Sequence, residues 1–229
     1  MDLESLENKL GVKFQNPDLL KESLTHRSYL NENPSWSLPH NERLEYLGDA
    51  VLELAVSENL FTKYPTYAEG QLTLLRASLV NYQFLSKVAQ ELELHKYLYL
   101  SRGEEKDTSR ARDVILANAI EAVIGAIYID QGFPPVVSFV KNYILSKAGA
   151  VVENGLYKDP KSMLQEIIQE NKKITPVYKV LGEFGPDHQK IFRVGAFVGT
   201  EKVAEGEGPS KQDAEIDAAK NALETWGGK

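Results

Sequence analysis

Through its first two-thirds the chain repeats apolar residues at three- and four-residue spacing. Leu3–Leu10, Pro17–Leu24, Asn41–Phe61, Glu69–Leu92, Val114–Ile129 and Val136–Ala148 each carry the stripe of a helix. Asn33–Pro39 (NPSWSLP) reads as a loop ahead of the long stripe that opens at Asn41. Tyr64–Pro65 and Gly132–Pro135 read as helix ends or turns. Gly149–Pro160, with two glycines and a proline, predicts a linker. Beyond it the period changes. Lys161–Asn171 predicts an amphipathic helix, and Val177–Glu183, Gln189–Val198 and Glu201–Glu207 alternate as strands. Gly185–His188 supplies a turn between the first two strands, and the alanine-rich Ser210–Trp226 returns to helix. The expected architecture is multidomain: an all-α domain over residues 1–150, a linker over 151–159, and a small α+β domain of α-β-β-β-α order over 160–229. There is no internal repeat.

Composition changes this picture little. The 229 residues are 42% hydrophobic and 26% charged, ordinary for a soluble globular protein. No apolar run approaches the roughly 18–20 residues that span a bilayer, so no membrane association is expected. The opening MDLESLENKLGVKF has neither the basic nor the apolar region of a signal peptide. There are no cysteines, which removes disulfides, thiolate metal sites and cysteine nucleophiles and fits an expected cytoplasmic location. The net charge of −7 argues at first against a nucleic-acid partner, but its distribution matters more. Met1–Tyr157 carries 15 Lys and Arg against 21 Asp and Glu, whereas Lys158–Lys229 carries 11 against 12. Acids gathered at one place can hold metal ions, which can in turn hold phosphate. The plain alternative is a solvated acidic surface.

The most informative stretch is His40-Asn41-Glu42-Arg43-Leu44-Glu45-Tyr46-Leu47-Gly48-Asp49-Ala50-Val51-Leu52. On a helix, Glu42, Glu45 and Asp49 fall at i, i+3 and i+7, within roughly one-sixth of a turn of each other. Leu44, Leu47, Val51 and Leu54 lie on the other side. Three like charges in one stripe repel, so the face calls for a cation, a basic partner or open water. A second helix, Ile115–Ala126, is almost wholly apolar, and its two polar residues, Asn118 and Glu121, again stand at i and i+3. A buried glutamate needs a partner. Arg76 or Arg112 would make that partner a structural ion pair; a metal shared with Glu45 and Asp49 would make it a functional one. Oxygen ligands of this kind suit Mg²⁺, with Mn²⁺ able to substitute. A di-iron bundle needs Glu-x-x-His pairs, and His26, His40, His95 and His188 follow neither acidic motif at that spacing.

These residues resemble the ribonuclease III family. NERLEYLGDAVLELAV is similar to the family's signature helix, Thr25–Tyr29 to the stretch before it, Glu69–Leu72 with Arg76-Ala77 to its next acidic segment, and LANAIEAVIGAIYIDQG to its second metal-binding helix. The resemblance implies a Mg²⁺-dependent endoribonuclease that cuts double-stranded RNA to 5′-phosphate and 3′-hydroxyl ends and processes structured precursor RNAs. It implies a homodimer through the catalytic domain. Glu45, Asp49 and Glu121 match the metal ligands, Asp49 and Glu121 the positions called catalytic, and Glu42 and Glu69 two further acids at the rim. Asn118 stands where the family usually has aspartate. It keeps an oxygen donor but loses a negative charge. The competing expectation is therefore a duplex-binding protein with weakened or lost cleavage. Gly125 and Ala126, being small, suit close helix contact, either within the subunit or between subunits.

The α-β-β-β-α segment resembles a double-stranded RNA-binding domain, which reads duplex shape through 2′-hydroxyls and phosphates. Gln165, Glu166 and Gln169 match contact positions on its first helix, Pro186 and His188 lie in the matching loop, and Ser210 and Lys211 open the last helix, where a helix N-terminus and basic side chains grip phosphate. The family commonly has two lysines after the serine. Here Lys211 is followed by Gln212 and Asp213, which predicts a weaker grip. Ala214, Ala218 and Ala219 read as core.

Overall fold

The computed structural model describes residues 2–106, 110–153, 160–186 and 190–226. Contacts divide the chain into two units, Met1–Tyr157 and Lys158–Lys229. The first holds α1 (Leu3–Leu10), α2 (Pro17–Ser23), α3 (Arg27–Glu32), α4 (Glu42–Lys63), α5 (Glu69–Val80), α6 (Tyr82–Glu91), α7 (Arg102–Lys106), α8 (Arg110–Gln131), α9 (Phe133–Tyr143) and α10 (Ala148–Glu153). Residues 154–159 of the expected linker lie outside the described residues.

Helix α8 is the hub because it is apolar on most of its sides. Ile120, Val123, Ile124 and Ile127 are buried on its different sides, where α2, α4, α6 and α9 pack. The stripe expected as one helix over Glu69–Leu92 is broken into α5 and α6. Asn81 leaves helical geometry (ψ 157°), and its side-chain oxygen accepts from the Phe84 amide at 2.9 Å, capping α6. The short α3 was not expected. His26 caps it through Nδ1, which accepts from the Ser28 amide at 3.3 Å. Trp36 is held between Tyr29 and Tyr99, with ring centroids 5.2 and 4.7 Å away, a structural use of the NPSWSLP loop. The prolines of Gly132–Pro135 fall in the first turn of α9, where a missing N–H costs nothing.

The second unit holds α11 (Pro160–Lys172), β1 (Val177–Phe184), β2 (Ile191–Val198), β3 (Glu201–Gly208) and α12 (Lys211–Trp226). Its strands form an antiparallel sheet in the order β1-β2-β3, with register shifts near Leu181 and between Ala196 and Phe197. The two helices cover one face, burying Leu164, Ile168, Ala196, Val198, Ala218, Ala219 and Ala222. Ala214 is also buried. Helix α12 lies directly on β3, since a Cβ at Gly206 would come 2.0 Å from the Ala218 nitrogen. Small residues set the distance between helix and sheet.

Candidate active site

The most extensive contact between any two elements is that of α4 with α8. At its centre each helix presents a buried glycine to the other's bare backbone. A Cβ on Gly48 would lie 1.7 Å from the Glu121 carbonyl oxygen, and one on Gly125 would lie 2.2 Å from the Leu44 carbonyl oxygen. No side chain fits at either position. Glycine inside a helix costs roughly 1 kcal/mol relative to alanine, so the pair marks a place where close approach outweighs local propensity. Sequence reading singled out Gly125 but not Gly48. The mid-helix glycine of LGDA was the signal that could have found it. Gly125 makes its close contact inside the subunit.

This crossing sets the polar faces of the two helices side by side. Glu45, on α4, is half-buried; Asp49, one turn later, is exposed; Asn118 and Glu121, on α8, are half-buried. Burial, then the neighbouring Glu42 and Asp49 charges, push the Glu45 carboxyl up; the Asn118 amide reaches that carboxylate and opposes the shift. The Glu121 carboxyl is pushed up to about 8, first by burial and then by Asp49 and Glu45. Its two expected ion-pair partners are engaged elsewhere. Arg76 Nη1 donates to Ser57 Oγ at 3.0 Å, and Arg112 Nη1 to the Glu104 carbonyl oxygen at 3.3 Å. The site thus concentrates negative charge without a described cation to balance it.

The rim is looser. Glu42 is exposed and pairs with Arg27 (Nη1–Oε1 3.4 Å), with His40 Nδ1 at 3.8 Å. Glu69 opens α5 and accepts from Thr73 Oγ1 at 3.0 Å; it is not among the groups that shift Glu45 or Glu121. Among the described residues, no three His, Asp or Glu side chains are already gathered as a cage for an ion. The oxygen donors are neighbours across a crossing. Three carboxyl groups and an amide, with Glu121 holding a proton up to a pH of about 8 where no cation offsets its neighbours, are a donor set that fits a hard divalent cation.

In the second unit Gln165 and Gln169 are exposed one turn apart on α11, and Pro186 is exposed after β1. His188 lies outside the described residues. Ser210 and Lys211 stand where α12 begins.

Residues 16–148 match the family described as Ribonuclease-III-like, and residues 160–225 match the Double-stranded RNA binding motif. A Ribonuclease 3 of a Nitratiruptor species is 45% identical over 221 residues, covering 96% of this chain and 95% of the relative. The Ribonuclease 3 of Oleidesulfovibrio alaskensis is 45% identical over 226 residues, covering 99% and 98%. Among solved structures, the nuclease domain of ribonuclease III from Campylobacter jejuni, described for flexibility in a region involved in dimer formation, is 39% identical with a TM-score of 0.58. It covers 63% of this chain and 97% of that one. A helical nuclease unit with clustered acids, followed by a duplex-binding module, defines a metal-dependent endoribonuclease of double-stranded RNA. The chain belongs to the ribonuclease III family.

Proposed function

We propose that Glu45, Asp49, Asn118 and Glu121 form the cutting site, and that its ion is Mg²⁺, with Mn²⁺ able to substitute. The observation that carries this reading is the reciprocal glycine crossing of α4 and α8, which puts Glu45 and Asp49 beside Asn118 and Glu121. The bound cation would supply water activation and charge stabilisation at the phosphate. Glu45 and Glu121 would hold it with carboxylate oxygens, and Asn118 would add its amide oxygen. Asp49, the most exposed of the four, would help to coordinate the ion and orient a water beside the scissile phosphate. The products would be 5′-phosphate and 3′-hydroxyl ends. Glu42 and Glu69 act at the rim. Residues 1–150 would cut and residues 160–229 would grip, through Gln165, Gln169, Pro186, His188, Ser210 and Lys211. The RNAs processed would be structured precursors in the cytoplasm, ribosomal RNA with some messenger and transfer RNA.

The nuclease unit would work as a homodimer. Helix α4 exposes Tyr46 (83%), Leu54 (58%) and Phe61 (73%), and α8 exposes Ile129 (56%). Tyr46 and Ile129 border a cleft of about 590 Å³ that Glu22, His40 and Arg43 also line. An apolar stripe beside a polar-rimmed cleft suits a second copy of the chain.

The test is incubation of a long RNA duplex with the protein and Mg²⁺, beside single-stranded RNA of the same sequence and the Asn118→Asp variant. The duplex is expected to be cut and the single strand to survive. An intact duplex that only Asn118→Asp cuts would favour the second reading, a duplex-binding protein whose cleavage is lost at Asn118.

A further inference from the structure

We propose that Asp213 is a built-in brake on duplex affinity, holding the phosphate-gripping end of α12 in a closed, self-satisfied state. The inference rests on the reading of Ser210 and Lys211 as phosphate contacts and concerns what regulates that grip.

The argument begins with one hydroxyl proton. Ser210 Oγ donates to Asp213 Oδ2 at 2.7 Å and accepts from the Asp213 amide at 3.1 Å. The second bond caps the helix. The first commits the only side-chain proton that Ser210 could offer a phosphate oxygen. The Asp213 carboxylate also sits in the first turn of α12, where the helix dipole favours an anion. It therefore competes for two of the attractions that a duplex phosphate would use beside Lys211, the hydroxyl and the positive helix end.

The surroundings leave little to compensate. Lys161 is paired with Glu215 at 2.6 Å, Arg193 with Glu207 at 2.7 Å, and Lys202 with Glu205. Lys190 lies 3.3 Å from Glu183, and Lys172 lies 3.9 Å from Glu201. Lys211 lies over the Phe192 ring, 5.8 Å from its centroid. The module meets a polyanion with most of its described cations already facing carboxylates. A phosphate that docks at α12 must displace Asp213 or sit beside its charge.

The experiment measures binding of the full chain to an RNA duplex in EDTA, across a salt series, for the wild type, Asp213→Asn, Lys211→Ala and Glu224→Gln. Asparagine keeps an acceptor for Ser210 and removes only the charge. Glu224, exposed near the far end of α12, controls for net charge. An anion at a helix N-terminus is worth about 0.3–1 kcal/mol, so Asp213→Asn is expected to bind about two- to five-fold tighter. Its salt dependence should steepen toward one further phosphate contact, a slope change of about 0.9. Lys211→Ala should weaken binding, and Glu224→Gln should leave it unchanged. If Lys211→Ala weakens binding while Asp213→Asn does not tighten it, the brake is wrong and the grip stands. If Lys211→Ala has no effect, the grip itself is misplaced, and the brake falls with it. Equal tightening by Glu224→Gln would reduce the effect to net charge and overturn the proposal. Weaker binding by Asp213→Asn together with a lower melting temperature would make Asp213 a helix cap alone, also against it.

Discussion

In the N-terminal unit Glu45, Asp49 and Glu121 meet across a helix crossing with no described cation among them. In the C-terminal unit Lys161, Lys172, Lys190, Arg193 and Lys202 each lie beside a carboxylate of the same unit. The unit that must recruit a cation leaves its acids unbalanced, while the unit that must touch a polyanion spends much of its positive charge internally. Charge is tuned by leaving groups unpaired at the cutting site and by pairing them at the gripping one. The sum of −7 conceals this, because it averages two opposite arrangements.

The sharpest way to break the contrast is Glu121→Gln. It removes a charge from the unbalanced cluster and keeps the shape. Cleavage of duplex in Mg²⁺ should fall more than a hundredfold, because metal-borne charge stabilisation is worth several kcal/mol. Duplex affinity in EDTA should be unchanged. A variant that cuts like wild type would refute the ligand assignment. Next in size is Gly48→Ala. A methyl at that position has nowhere to go but into the Glu121 backbone, and overpacking of this kind costs about 1–3 kcal/mol. The melting temperature of the nuclease unit should drop by about 2–4 °C per kcal/mol, with cleavage lost in the same variant. An unchanged melting profile would show that the crossing has slack.

A pH series tests the unbalanced charge directly. Glu121 has a folded-state pKa raised to about 8 from an ordinary value of 4.5, so the folded state holds the proton more tightly than the unfolded state. Metal-free protein should therefore lose stability as pH rises from about 4.5 to 8, with no loss from this group below that window. Melting temperature at pH 5, 6.5 and 8 in EDTA should fall in that order, and Glu121→Gln should flatten the trend. A flat profile in the unsubstituted protein would mean that the acids are better solvated than their burial suggests. The smallest effect belongs to the paired side. Lys161 and Glu215 are each about one-third exposed, and exposed pairs are worth about 0.2–1 kcal/mol. A double-mutant cycle with Lys161→Ala and Glu215→Ala should give a coupling in that range. A coupling above about 2 kcal/mol would make the pair a structural anchor and weaken the contrast.

Much of this was legible in the chain. The stripes of Leu3–Leu10 and Val114–Ile129 and the alternation of Val177–Glu183 follow from period alone, and the observed elements lie within a few residues of them. The split at Asn81 was hidden because Leu79 and Leu85 keep the apolar stripe going on both sides of a residue that caps. The acids at i, i+3 and i+7 could be placed on one face by helical geometry, but whether Glu121 met an arginine or other acids depended on which helices cross. That is a tertiary fact, written only faintly in two glycines. The Ser210–Asp213 bond was equally out of reach, since Ser-x-x-Asp marks a cap without saying whether its hydroxyl proton is spent.

The glycine crossing also bears on how this enzyme could be altered. Where side chains separate two helices, the gap can be retuned in small steps by exchanging leucine for valine or methionine. Between Leu44–Gly48 and Glu121–Gly125 the spacer is main chain against main chain, and main chain comes in one thickness. The spacing of the acids behaves like a gauge block rather than a screw. Substitutions elsewhere in the core can change how firmly the unit melts, but the gap across which Glu45 and Glu121 face each other has no finer adjustment.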